Sequence, residues 1–214
     1  MENIEAIAVL QDPVRRGLYA YVVAQDREVS RNEAAEAAGV QRTLAAFHLD
    51  RLAEAGLLDT VSRRLTGRSG PGAGRPAKLY RRSGAEHAIS LPPRDYRTVA
   101  ALLAEAADEA GLDERLQELA RRRGRAASAP CRDLDEAAAL LAERGYEPRA
   151  VDGAVRMRNC PFHAVAEEFP PLVCGMNLAL LEGLLEESPA LSARMDARPG
   201  WCCVVLQPSK NNED

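Results

Sequence analysis

The sequence predicts an α+β fold, and three observations carry that expectation. Apolar residues recur at helical spacing through residues 3–55, with cap residues between the runs. Two strand-like runs, 59–63 and 77–82, flank a stretch rich in Gly, Ser, Pro and Arg at 65–76. Beyond a long helical pattern at 94–124, helices and strand pairs alternate to residue 207. The chain has 214 residues, 46% of them apolar and 28% charged, an ordinary globular composition with room for two small domains. The expected division is an N-terminal domain at 1–90, linker or dimerisation helices at 91–125, a small α/β domain with a Cys-rich site at 126–208, and a disordered polar tail at 209–214.

Residues 3–10 read as a short amphipathic helix. Asp12-Pro13 is an N-cap followed by Pro at the first helical position, and Val14, Leu18, Tyr21 and Val22 then share one stripe. Ser30 and Glu33 form a capping box that opens a helix at 31–38, which Gly39 ends. A second helix runs from about 42 to 55 and stops at Gly56. With the strand, basic loop and strand that follow, this is the order of a winged helix-turn-helix.

Charge agrees with that order locally. The net charge of −4 divides into 13 basic and 10 acidic residues over 1–85, against 15 and 22 over the remainder. Residues 61–82 hold seven basic side chains and no acidic one. A phosphate responds to charge within a Debye length of ~8–10 Å, so the basic segment counts for more than the acidic total.

VQRTLAAFHLDRLAEAGLL at 40–58 and GRPAKLYRR at 74–82 resemble the recognition helix and second wing strand of the ArsR-type winged-helix repressors, a likeness that covers 12–82. Helical periodicity turns Val40, Ala45, Leu49 and Leu52 inward. It leaves Gln41, Arg42, Thr43, Ala46 and Asp50 outward, where Gln, Arg and Thr reach base edges or phosphates of a major groove. Arg68 and Arg75, at the ends of the glycine-rich turn, and Lys78 on the strand beyond suit a wing that tracks phosphates or enters the minor groove. His48 reads as a packing or phosphate-side residue. The expected partner is double-stranded DNA, bound by a homodimer paired through the stripe of Tyr96, Val99, Leu102 and Leu103.

The C-terminal part reads as a helix at 134–144, strands at 147–151 and 154–158 around an Asp152-Gly153 type I′ turn, an apolar helix at 172–186, and strands at 191–196 and 201–207. Four of the five cysteines collect at the ends of these elements, and Cys131 stands apart. Cys160 and His163 have a C-x2-H chelating spacing, and Cys174 falls in the expected first turn of a helix, where the macrodipole favours a thiolate. Cys202 and Cys203, adjacent on a strand, should face opposite ways, so only one of them, Cys202 or Cys203, joins Cys160.

NCPF at 159–162, VCGMNLALLEGLL at 173–185 and CCVVL at 202–206 resemble the C-terminal domain of SufR-like repressors. That likeness implies a four-cysteine [4Fe–4S] ligand set, with Cys160 and Cys174 matching the first two ligands and Cys202 or Cys203 the last. The third cysteine of that pattern has no counterpart at 189–196. A Cys3His set of Cys160, His163, Cys174 and Cys202 holding zinc is therefore the first expectation, and the [4Fe–4S] cluster the alternative.

No apolar run approaches the ~20 residues of a membrane helix, and the acidic N-terminus is no signal peptide, so a cytoplasmic, reducing setting is expected. No nucleotide fingerprint, GxSxG or HExxH is present and no catalytic residue is assigned. The expected function is a dimeric DNA-binding regulator, acting as a repressor, that senses metal, redox state or a small-molecule effector. A metal-binding adaptor that does not bind DNA is the alternative.

Overall fold

The computed structural model describes residues 2–25, 27–63 and 76–209, and the chain divides into two compact units, 1–94 and 95–214. In the first unit, α1 (Glu2–Ala8) runs through a 3-10 turn into α2 (Pro13–Ala24). Asp12 caps α2 by accepting the Arg15 N–H at 2.9 Å. A short strand, β1 (Val29–Ser30), leads directly into α3 (Arg31–Ala37), and both halves of the expected capping box are formed between Ser30 and Glu33. Gly39 takes φ 63°, a left-handed turn open to glycine without strain, and the chain re-enters a helix as α4 (Arg42–Glu54). β2 (Leu58–Arg63) and β3 (Ala77–Arg82) pair antiparallel, with Val61 opposite Leu79. β1 was not expected; it adds to β3, giving the order β1-β3-β2. Two residues carry no readable alternation, so only the pairing reveals such a strand. Leu18, Val22, Ala45, Leu49, Leu52 and Tyr80 close the core.

The second unit opens with α5 (Tyr96–Glu109) and α6 (Asp113–Arg125), separated at Gly111. Then come α7 (Leu134–Ala142), β4 (Pro148–Val151), β5 (Ala154–Met157), α8 (His163–Ala166), α9 (Pro170–Leu184), β6 (Leu191–Met195) and β7 (Val204–Pro208). The strands form one antiparallel sheet in the order β4-β5-β7-β6, with Asp152 and Gly153 both at positive φ in the expected turn. Val155, Met157, Val204 and Leu206 bury their side chains in a core shared with Ala137 and Leu141 of α7 and Leu181 and Leu184 of α9.

A boundary near residue 126 would cut through this unit. α6 packs along α9, and at the crossing Gly124 and Gly183 face each other's backbone. A Cβ on Gly124 would overlap the Leu180 carbonyl oxygen, and one on Gly183 the Arg121 carbonyl oxygen. Arg121 binds Glu182 at 2.6 Å and Arg125 binds Glu186 at 3.1 Å beside that contact. Within 121–125 only Gly124 is buried, while Arg122, Arg123 and Arg125 stay exposed at the end of α6. Glycine brings the two backbones together, and Arg121 and Arg125 find acids at Glu182 on α9 and at Glu186 just past its end.

Candidate nucleic-acid interface and thiol cluster

α3, the Gly39 turn and α4 form a helix-turn-helix. Ala45, Leu49 and Leu52 are fully buried against α2 and α3, as periodicity required, and Val40 is half-buried. His48 is buried too, and its Nδ1 accepts the Arg15 Nε–H at 3.2 Å, a link between α4 and α2. Gln41 stands at the helix N-cap without using its side chain for capping. Gln41, Arg42 and Thr43 are exposed, and Ala46 is partly so. All four residues chosen on the helix therefore lie on the reachable face of its N-terminal half.

Asp50 belongs to the same face and is already engaged. Its Oδ1 accepts from Lys78 Nζ at 2.6 Å and from the Tyr80 hydroxyl at 2.6 Å, and Arg31 lies 3.7 Å from its other oxygen. Burial acts to raise the Asp50 pKa, but hydrogen bonds from Lys78 and Tyr80 outweigh it and hold the carboxyl below its ordinary range. The Tyr80 hydroxyl is pushed up to about 12 by burial and by the hydrogen bond it donates to Asp50. Lys78, expected to meet phosphate, thus ties β3 to α4. Arg63 and Arg81 also have acidic partners, Glu28 at 2.6 Å and Asp59 at 3.5 Å. Arg68 and Arg75 lie outside the described residues.

In the second unit, Cys160 follows β5, Cys174 lies on α9, and Cys202 and Cys203 precede β7. α9 begins at Pro170, two residues before the expected start, because Pro170 and Pro171 suit its first positions. Cys174 is therefore past the first turn, and the macrodipole argument for its thiolate loses force. The expectation that Cys202 and Cys203 face opposite ways also fails. β7 starts only at Val204, and the bend before it brings the two thiols together.

The thiols connect in the order Cys160, Cys202, Cys203, Cys174. Interaction with the neighbouring Cys160 thiol, then with Cys203, lowers the Cys202 pKa against the opposing effect of burial. The same interactions push the Cys160 and Cys203 thiols up. Asn177, fully buried on α9, donates Nδ2–H to the Cys202 sulfur at 3.4 Å, and its Oδ1 accepts the Tyr146 hydroxyl at 2.6 Å. Burial raises the Tyr146 pKa. His163 does not join the thiols; it is exposed at the start of α8, with Nε2 3.3 Å from Glu167. Cys131 is buried elsewhere in the core, its N–H bonded to Ser188 Oγ at 2.8 Å. Among the described residues, no three Cys, His, Asp or Glu side chains stand at the distances of one closed metal shell.

Sequence reasoning missed Cys203 as a partner of Cys202, and it missed Asn177. The second had a signal: an asparagine inside the apolar run 172–186, where a polar side chain needs a partner.

Residues 10–61 match a protein family described as a helix-turn-helix domain. The match covers α2, α3, α4 and most of β2, supports the ArsR-type likeness over that stretch, and suggests a DNA-binding regulator. No curated protein sequence matches the chain. Among the described residues, no helix is long and apolar enough to cross a membrane.

Proposed function

We propose that this chain is a transcriptional repressor that binds double-stranded DNA as a homodimer and carries a metal centre in its second unit. The observation that carries the DNA reading is the exposed N-terminal half of α4 within a matched helix-turn-helix. Two copies related by twofold symmetry would set their recognition helices ~34 Å apart, one turn of the duplex. The dimer reading is supported by α5, none of whose 14 residues is buried, with Tyr96, Val99, Leu102 and Leu103 all more than half exposed.

The chemistry of the four sulfurs, rather than their spacing in this structure, supports a thiophilic group. Cys160, Cys174, Cys202 and Cys203 would hold it, with Cys203 in the place first given to His163. Four sulfurs, rather than three and an imidazole, remove the reason for preferring zinc to a [4Fe–4S] cluster. When bound, such a group supplies a charge and an occupancy that respond to redox state or metal supply. Asn177 orients the Cys202 sulfur, and Tyr146 orients Asn177. A regulator of this kind shifts a population between DNA-competent and incompetent dimers. No catalytic role is proposed for any residue.

Salt-dependent duplex binding tests the first reading. Affinity should fall steeply as salt rises, and Arg42→Ala should cost about 1–3 kcal/mol at a specific site. A chain with no affinity for duplex at low salt is the adaptor. Anaerobic purification tests the second reading. Brown protein with iron and sulfide indicates the cluster, colourless protein with one zinc per chain indicates the ion, and metal-free protein defeats both.

A further inference from the structure

The outward face of α4 has a side chain at its centre that its polar residues do not account for. Phe47 is 56% exposed, one turn beyond Thr43 and next to Ala46. Its ring meets His48 edge-on at 5.3 Å between centroids, and because His48 is buried, the ring is braced from the core side. The polar groups further along the face already have partners within the chain: Asp50 takes Lys78 and Tyr80, and Arg51 binds Glu54 at 2.9 Å. A methyl, a hydroxyl-bearing methyl and a phenyl ring are thus what the centre of this face offers beyond Gln41 and Arg42 at its start.

In the major groove, each base pair presents its own pattern of donors and acceptors, and only thymine adds a methyl group. Phenyl, alanine and threonine methyls are the side-chain groups that pack on it. We propose that Phe47, with Thr43 and Ala46, reads thymine 5-methyl groups, so that this apolar patch sets which base pairs the protein prefers. The proposal rests on the DNA-binding reading above and adds the base chemistry that the helix selects.

The experiment uses the full chain. Duplexes retained from a random pool are sequenced, and the preferred site is resynthesised with each thymine replaced in turn by deoxyuridine, which removes the methyl and leaves every hydrogen-bonding group. Affinity is read by fluorescence anisotropy at one fixed salt concentration. One or two positions in each half-site should lose about fourfold, the affinity equivalent of the ~0.8 kcal/mol of one buried carbon group. Phe47→Ala should bind thymine and uracil versions of those positions equally. Should Phe47→Ala bind too weakly to measure, Phe47→Leu should keep a reduced but measurable preference for thymine. Equal affinity of the wild-type chain for thymine and uracil at every position overturns the proposal, as does a Phe47→Ala or Phe47→Leu chain with the wild-type preference. If no duplex is retained from the pool at low salt, the DNA-binding reading falls, and this one with it.

Discussion

Helices α5 and α6 are neighbours in the chain, carry apolar stripes of the same period, and end in opposite environments. α6 lies along α9 so closely that two glycines touch the facing backbone, and Arg121 and Arg125 pair with Glu182 on that helix and Glu186 just past its end. α5 keeps Tyr96, Val99, Leu102 and Leu103 exposed. The stripe says that a helix has an apolar face; it does not say what covers it. What separates the two is local: Gly124 meets Gly183, and nothing in α5 allows a comparable approach.

The largest effect should come from filling that approach. Gly183→Ala puts a methyl where a carbonyl oxygen stands, and should cost about 3 kcal/mol in urea unfolding of the second unit. A loss below about 0.5 kcal/mol would mean that the crossing is looser than described. The complementary change is on α5. Leu102→Glu with Leu103→Glu should leave the unfolding free energy within about 0.5 kcal/mol, because both positions are exposed in the single chain, yet convert a dimer to a monomer in sedimentation. Unchanged mass would remove α5 as the dimer contact.

Next comes the polar group that α9 buries on its core side. Asn177→Leu strands the Tyr146 hydroxyl and should cost about 2 kcal/mol. Tyr146→Phe should be cheaper in that background than in the wild type, and additive losses in the double-mutant cycle would show that the pair is not coupled.

The smallest effect is expected in the first unit, at the more exposed Asp50. Asp50→Asn weakens the tie from α4 to β3 and should cost about 1 kcal/mol at pH 7, the modest value of a partly exposed ion pair. The folded-state pKa of Asp50 lies below its unfolded value of 3.8, so its contribution is present above that pH and is lost as the pH falls through the folded value. The gap between wild type and variant should therefore narrow as the pH is lowered below 3.8; a constant gap would rule out the carboxylate as its source.

The first unit was the more legible of the two. Asp12, Ser30 and Glu33, Gly39 and Gly56 are local signals, each satisfied by backbone groups a few residues away, so they placed α2, α3 and α4 closely. The helix face that held Gln41, Arg42, Thr43 and Ala46 could be read for the same reason. The exposed Phe47 was printed in the sequence but has no periodic signal, since apolar residues are expected inside. In the second unit, the Asp152-Gly153 turn and the strand pair around it were legible, and the thiol grouping only in part. Cys160 and Cys174 could be nominated, but the choice among His163, Cys202 and Cys203 turned on where β7 begins, a matter of sheet pairing across the chain.

Helix ends, turns and the inward faces followed from amino-acid order, because each depends on contacts within a turn or two of the chain. Tertiary packing decided three other things: that Lys78 serves Asp50, that Cys203 stands beside Cys202, and that Gly124 is interior to a helix pair. Each of these joins groups at least one element apart or a bend that pairing imposes, and the energy that selects them exists only once the backbones have been brought together.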